Sequence, residues 1–201
     1  NQFERALYAA NWLTATGTNH YSWYIDVDSF VDQHWIVEFT KQIDGYRLSN
    51  YMHKDRGGKL KMDPIWDWNL SFGNADYLDG GRTNGWYYTQ LGDSDHIWLR
   101  RLISGTTSGT GTAGDPDFKQ KITDRWSELR TNILGGSNVL ARIDEIAAYL
   151  NEAQVRDFAK YPRLGSYVWP NPNGAGGGWH VDYVTPRDFA GIITQMKKWV
   201  L

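Results

Sequence analysis

The sequence predicts an α+β chain that is mainly helical and carries one small β hairpin. Three observations lead there. Several stretches place apolar residues at helical spacing between recognisable start and stop signals. A single region, residues 47–62, sets two short β-prone runs around a glycine pair. The 201 residues are 41% hydrophobic and 22% charged, which gives room for a core and excludes wholesale disorder and coiled coil. No apolar run approaches the length of a membrane-spanning helix, so membrane insertion is not expected.

The elements follow in order. Phe3, Ala6, Leu7 and Ala10 space a helix over residues 3–12, broken by Thr16-Gly-Thr-Asn19. Residues 21–27 are aromatic and β-prone and read as a strand or an extended approach. Asp28 and Ser29 read as a cap, with Asp32 three residues after Ser29, ahead of a helix striped by Phe30, Val31, Trp35, Ile36 and Phe39 to Gln42. Residues 47–53 and 59–62 read as two strands joined through the turn Asp55-Arg-Gly-Gly58. Pro64-Ile-Trp-Asp-Trp-Asn69 is too short and polar for more than a strand end and a turn.

Residues 73–114 are expected to be mostly loop, interrupted by a helix near 96–103, with the Ser/Gly/Thr/Ala tract 104–114 a flexible insertion. Asp115-Pro116 is a helix start, cap then proline, and Phe118, Ile122, Trp126, Leu129 and Ile133 carry that helix to Gly135-Gly136. A second long helix spans 138–160, with Leu140, Ile143, Ile146, Ala147, Leu150 and Phe158 on one face, and Pro162 ends it. After a loop over 167–185, Thr185-Pro186 opens a last helix through Val200.

Composition narrows the function. Lys and Arg number 21 against 23 Asp and Glu, so no basic surface points to nucleic acid. There is no Cys, which excludes disulfide frameworks, thiolate metal sites and Cys nucleophiles. The five His show no metal-ligand spacing, and no Gly-x-Ser-x-Gly elbow is present. Asp93-Ser-Asp95-His96 reads as capping ahead of Ile97 rather than as cation ligands. Gly109-Thr-Gly-Thr-Ala-Gly114 matches G-x-G-x-x-G formally, yet it lacks a preceding strand and reads as a decoy.

The densest chemistry is Asp44-Gly-Tyr-Arg-Leu-Ser-Asn50, then the hairpin, then Trp66-Asp-Trp-Asn69. Two acids flanking a hairpin suit phosphoryl transfer. One carboxylate orients and deprotonates the attacking hydroxyl; the other, with an Asn, holds Mg²⁺ on the phosphates. Asp44, Asn50 and Asp67 follow the Asp, Asn, Asp order of protein kinases, with the first gap one residue longer. The competing reading makes Asp44 and Asn50 turn residues and Asp67 a loop cap. Trp12, Trp35, Trp126 and Trp199 fall on helix faces and are expected in the core. Trp86-Tyr-Tyr88, Trp169 and Trp179 lie in loops, either packed down or free to bind a glycan or a protein partner.

The runs Asp44-Gly-Tyr-Arg-Leu-Ser, Tyr51-Met-His-Lys-Asp-Arg-Gly-Gly-Lys-Leu60 and Pro64-Ile-Trp-Asp-Trp-Asn-Leu-Ser-Phe-Gly73 resemble the CotH kinase family, bacterial proteins similar to spore coat protein H. The resemblance extends to Tyr24-Ile-Asp-Val-Asp-Ser-Phe-Val-Asp32 ahead of that core. Behind it come Arg125-Trp126, Leu129-Arg130, Ile143-Asp144 and Gly165-Ser-Tyr-Val-Trp-Pro-Asn171, so nearly the whole chain is covered in order.

The resemblance implies the C-terminal lobe of an atypical, secreted protein-kinase-like fold, with the active-site acids carried by the hairpin region. It implies ATP as donor, Mg²⁺ or Mn²⁺ as cofactor, and Ser or Thr of an extracellular or coat protein as acceptor. Asp44 becomes the catalytic acid and Asp67 the metal-binding acid. Asn50 joins the metal, and Asn50, Lys54 and Asn69 contact the nucleotide. Two positions depart from the family pattern: Asn69 stands where many members have a second acid, and Asp63 where Gly is expected. Residues 1–43 contain nothing like a phosphate-binding lobe. Residues 1–201 are therefore expected to be a partial kinase domain, poor at binding nucleotide alone. The rival expectation is a non-catalytic secreted or cell-surface module that binds glycan or a protein through its loop aromatics.

Overall fold

Side-chain caps start four of the six helices. In the computed structural model, which describes residues 1–92, 95–105, 113–171 and 185–201, six helices and one two-stranded sheet form. Helix α1 is Gln2–Leu7, α2 Val27–Thr40, α3 Ile97–Ser104, α4 Pro116–Thr131, α5 Gly136–Lys160 and α6 Phe189–Val200. Strands β1, Met52–His53, and β2, Lys61–Met62, are antiparallel, pairing Met52 with Met62 and His53 with Lys61. The chain is therefore α+β and mainly helical, as expected.

The residues fall into two compact units: Asn1–Phe39 with Asp44–Trp68 and Trp86–Trp126, and Thr40–Ile43 with Asn69–Gly85 and Ser127–Leu201. In the first, α1 opens with a reciprocal cap between Asn1 and Glu4 and stops at Leu7, short of the expected residue 12. The reason is tertiary: the Arg101 guanidinium donates to the Leu7 carbonyl and lies 4.7 Å over the Trp12 ring. Residues 21–27 split in two. Tyr21–Trp23 is a 3₁₀ turn, and only then does the chain pair with the hairpin, Leu60 N–H donating to Tyr24 O and Asp26 N–H to Leu60 O, both 2.8 Å.

The cap of α2 is Asp26, whose Oδ1 accepts from Ser29 N–H at 3.1 Å; Asp28 and Ser29 already lie inside the helix. The strands are shorter than expected because the N–H groups of Arg47, Leu48 and Ser49 all donate to the Asp44 carbonyl, at 3.0, 2.9 and 2.9 Å. Donors spent on a turn cannot enter a ladder. The turn within 54–60 carries Gly57 at φ +74° and a Gly58 N–H to Asp55 O bond of 3.0 Å.

Asp115 starts α4 as anticipated, its Oδ1 accepting from Asp117 and Phe118 N–H at 2.8 and 3.3 Å. Its other oxygen accepts from the buried Tyr21 hydroxyl. Asp115→Ala is expected to remove both roles at a cost of about 2 kcal/mol, seen as a lowered urea midpoint at unchanged slope. The helix ends at Thr131 rather than at the glycine pair, and Ile133 is exposed. The core of this unit gathers Leu7, Ile25, Phe30, Tyr46, Tyr87, Leu99 and Phe118, each at most 2% exposed. Burying each such side chain contributes roughly 1.5–3 kcal/mol.

In the second unit α5 packs on α6, and Lys197 pairs with Asp144. Leu140, Ile143, Ala147 and Phe158 are half-buried, whereas Ile146 and Leu150, expected on the same face, are exposed. Helix α6 starts at Phe189 under an Asp188 cap, its Oδ1 2.7 Å from Gly191 N, and not at Thr185-Pro186. Thr40–Ile43 runs beside residues 70–72, with Phe72 N–H donating to Thr40 O at 2.7 Å and Ile43 N–H to Leu70 O at 3.4 Å. Trp199 is buried edge-on to Phe72, ring centroids 5.8 Å apart. Most of the expected 104–114 insertion, including Gly109, and the 172–184 part of the late loop, including Trp179, lie outside the described residues.

Candidate functional site

The bond between Ile43 and Leu70 closes the intervening chain into a loop with tied ends. Asp44 is the first residue after it departs, and Asp67 the third before it returns. Tight helical turning places Asp44: its carbonyl collects three N–H groups, and its carboxylate, with 14% of the side chain exposed, takes a 3.1 Å bond from the Arg47 guanidinium. Asn50 is half-buried, and its side-chain oxygen Oδ1 is buried with no hydrogen-bond donor. Asp67 is exposed and adopts φ 58°, the left-handed region where Asp and Asn are tolerated better than most side chains.

Asp44, Asn50, Lys54 and Asp67 belong to the first unit, and Asn69 to the second. Lys54 is exposed on the hairpin turn, its ammonium donating to the Asp55 carbonyl at 3.4 Å. Asn69 is exposed, and its carbonyl accepts from the Asn74 amide at 2.9 Å. Of the nucleotide contacts the sequence suggested, Asn50 is the one whose polar atom is buried without a donor.

Sequence reading missed the groups that hold this loop. Tyr46, fully buried, donates its hydroxyl to Glu38 Oε1 at 2.8 Å and lies 2.8 Å from His34 Nδ1. Gln33 donates to Gly45 O at 3.2 Å. Arg47 was visible only as the residue three after Asp44, and Glu38 as an acid inside a helix stripe. Burial holds the His34 imidazole neutral, with its pKa lowered to about 3 and a smaller contribution from nearby His96; burial alone lowers His96 to about 4. Burial, then Glu38, raises the Tyr46 hydroxyl well above its ordinary value.

His96 stands at the start of α3 with φ 44° and no side-chain capping bond, contrary to the capping role expected there. Asp93 lies outside the described residues, and Asp95 Oδ2 instead accepts from Gly92 N–H at 3.0 Å.

Among the described residues no three His, Cys, Asp or Glu side chains gather as a metal cage. The donorless amide oxygen of Asn50 is a different kind of feature. It offers a hard oxygen ligand of the sort Mg²⁺ accepts when phosphates and waters complete its octahedron. The buried Asn50 Oδ1 fits such an ion as one oxygen ligand.

The family model described as "CotH kinase protein" matches residues 3–200. The chain belongs to the CotH kinase family. No curated protein and no solved structure matches it. CotH membership brings kinase-like chemistry, whose general requirements are a nucleoside triphosphate, a divalent cation and a protein acceptor, and the family is associated with the spore coat. No helix among the described residues is long and apolar enough to cross a membrane.

In the CotH chain the loop residues Trp86 and Trp169 are packed on one side and open on the other. Trp86 is 51% exposed and edge-on to Trp35 at 5.8 Å. Trp169 is 68% exposed and parallel to Tyr77, 6.0 Å between centroids. Tyr87 is buried. Trp12, Trp35 and Trp199 are buried as expected, while Trp126 is half-buried and stacks on Trp35 at 4.6 Å.

Proposed function

We propose that this chain is the acid-bearing lobe of an ATP-dependent protein kinase that phosphorylates Ser or Thr of an extracellular or coat protein. The observation that carries the reading is the buried, donorless Asn50 Oδ1 on the segment joining Asp44 to Asp67. Burying such a group without a partner costs roughly 1–3 kcal/mol, and a cation would supply the missing interaction. Asp67 and Asn50 would hold Mg²⁺ or Mn²⁺, which neutralises charge on the β- and γ-phosphates when bound.

Asp44 orients the acceptor hydroxyl and takes its proton as the oxygen bonds to the γ-phosphorus and the bond to the β-phosphate oxygen breaks, releasing ADP. Arg47 holds the Asp44 carboxylate in place for that transfer. Lys54 remains an outer contact for the nucleotide. We place the opposite wall of the nucleotide cleft outside residues 1–201, so the test uses the complete protein.

With Mg²⁺ and γ-labelled ATP, Asp44→Asn and Asp67→Asn are expected to lower label transfer at least ~100-fold. Asn50→Ala is expected to raise the Mg²⁺ concentration needed for half-maximal rate. Wild-type rates in both aspartate variants would refute the assignment.

A second reading rests on Trp169, whose one face lies parallel to Tyr77 and whose side chain is largely open. A braced indole suits a sugar ring or an apolar partner side chain. Glycan-array binding by the intact protein that disappears in Trp169→Ala would establish it, and no binding above background would remove it.

A further inference from the structure

We propose that Glu38 is a positioning residue for the Asp44 loop, a role that rests on the phosphotransfer reading for its catalytic meaning. The Glu38 carboxylate on α2 is shared between two segments far apart in sequence. Oε1 accepts from the Tyr46 hydroxyl at 2.8 Å and from Tyr88 N–H at 2.8 Å, while Oε2 accepts from Tyr87 N–H at 2.7 Å. The two backbone donors open the 3₁₀ turn Tyr87–Gln90, whose N-cap, Trp86, supplies no side-chain acceptor of its own. A carboxylate meeting free N–H groups at a helical start is a strong, charge-assisted contact.

From there two routes lead to Asp44. Along the first, Tyr46 sits two residues after Asp44, and its hydroxyl has one proton to give. That proton goes to Glu38, and His34, neutral, then donates from Nδ1 to the Tyr46 oxygen. Gln33 fixes the intervening Gly45 carbonyl. Along the second, the Tyr87 ring stacks on Tyr46, centroids 5.8 Å apart and planes 14° apart, and its hydroxyl is hydrogen-bonded to Arg47. Arg47 in turn holds Asp44 Oδ1. His96 closes the cluster, 5.2 Å from the Tyr46 ring. One carboxylate thus sets both the backbone of the loop and the cation that grips its acid. Misplacing a general base by a fraction of an ångström is costly because the reaction requires near-attack geometry.

The experiment compares Glu38→Gln and Tyr46→Phe with wild type in the complete protein. It reads amide hydrogen exchange first and steady-state rates second. In Glu38→Gln the amides of Arg47, Leu48, Ser49, Tyr87 and Tyr88 are expected to exchange at least ~tenfold faster, while those of α4 and of Met62 keep their protection. Tyr46→Phe, which leaves the two backbone bonds to Glu38 intact, is expected to loosen the Arg47–Ser49 amides alone. Both variants should lower kcat about tenfold at unchanged KM for ATP, with the double variant no worse than the poorer single.

Exchange that rises uniformly, or not at all, overturns the positioning role. So does a loosened loop with an unchanged kcat. If wild type itself transfers no phosphate, the phosphotransfer reading fails separately, and the exchange pattern still decides whether Glu38 holds the loop.

Discussion

Gly73→Ala is expected to destabilise the protein by about 3 kcal/mol, against about 1 kcal/mol for Gly57→Ala. Both glycines occupy the left-handed region, at φ +79° and +74°, where an added Cβ is strained. They differ in surroundings. A Cβ at Gly57 meets nothing within 4 Å, whereas at Gly73 it would lie 2.9 Å from Trp199 Nε1 and closer still to Cδ1. The indole is rigid, buried, and already edge-on to Phe72, so it has no small rotation by which to escape. Urea denaturation of the two variants isolates the clash from the backbone strain, and equal losses would show that the Trp199 contact carries no energy.

Acidification is expected to weaken the fold by about 3 kcal/mol between pH 6.5 and 5, with two histidines responsible. His34 and His96 are held neutral, at pKa values of about 3 and about 4, by burial first and, for His34, by its neighbour. In the unfolded chain both titrate near 6.5, so below that pH the unfolded state binds protons that the folded state refuses. Stability is therefore complete above about pH 6.5 and falls as pH drops towards 4 and 3. Urea midpoints measured at intervals from pH 7.5 to 5 check this. A flat profile in His34→Gln/His96→Gln beside a sloping wild type assigns the slope to the pair, and a flat wild type refutes it.

Much of the fold was legible because its signals are local. The Asp115-Pro116 start, the glycine turn at 55–58 and the apolar stripe of α2 each depend on neighbours in sequence, and each formed. What escaped was set by contacts from afar. Arg101 ends α1, and hydrogen bonds to one carbonyl withdraw residues 47–49 from the strand. Asp26 outcompetes Asp28 and Ser29 as the cap of α2.

The candidate site divides along the same line. The acids we propose for it come from their order along the chain, since Asp44 and Asp67 flank the hairpin signal. Glu38 and Tyr46 were unreadable, because an acid inside a helix stripe and a tyrosine in a turn have ordinary identities until folding buries them against each other.

The left-handed backbone at Asp67 has a consequence for the tolerance of that position to substitution. Few side chains accept φ 58° cheaply; Gly, Asn and Asp are foremost among them. A library of all amino acids at this position, selected only for a folded product, should therefore retain that small set. Selected for phosphate transfer, it should retain Asp alone if Asp67 holds the metal as we propose. On that proposal, fold and chemistry impose two nested filters on one codon. The amino acids that pass the outer filter and fail the inner one measure how much of this aspartate's presence is owed to its shape and how much to its charge.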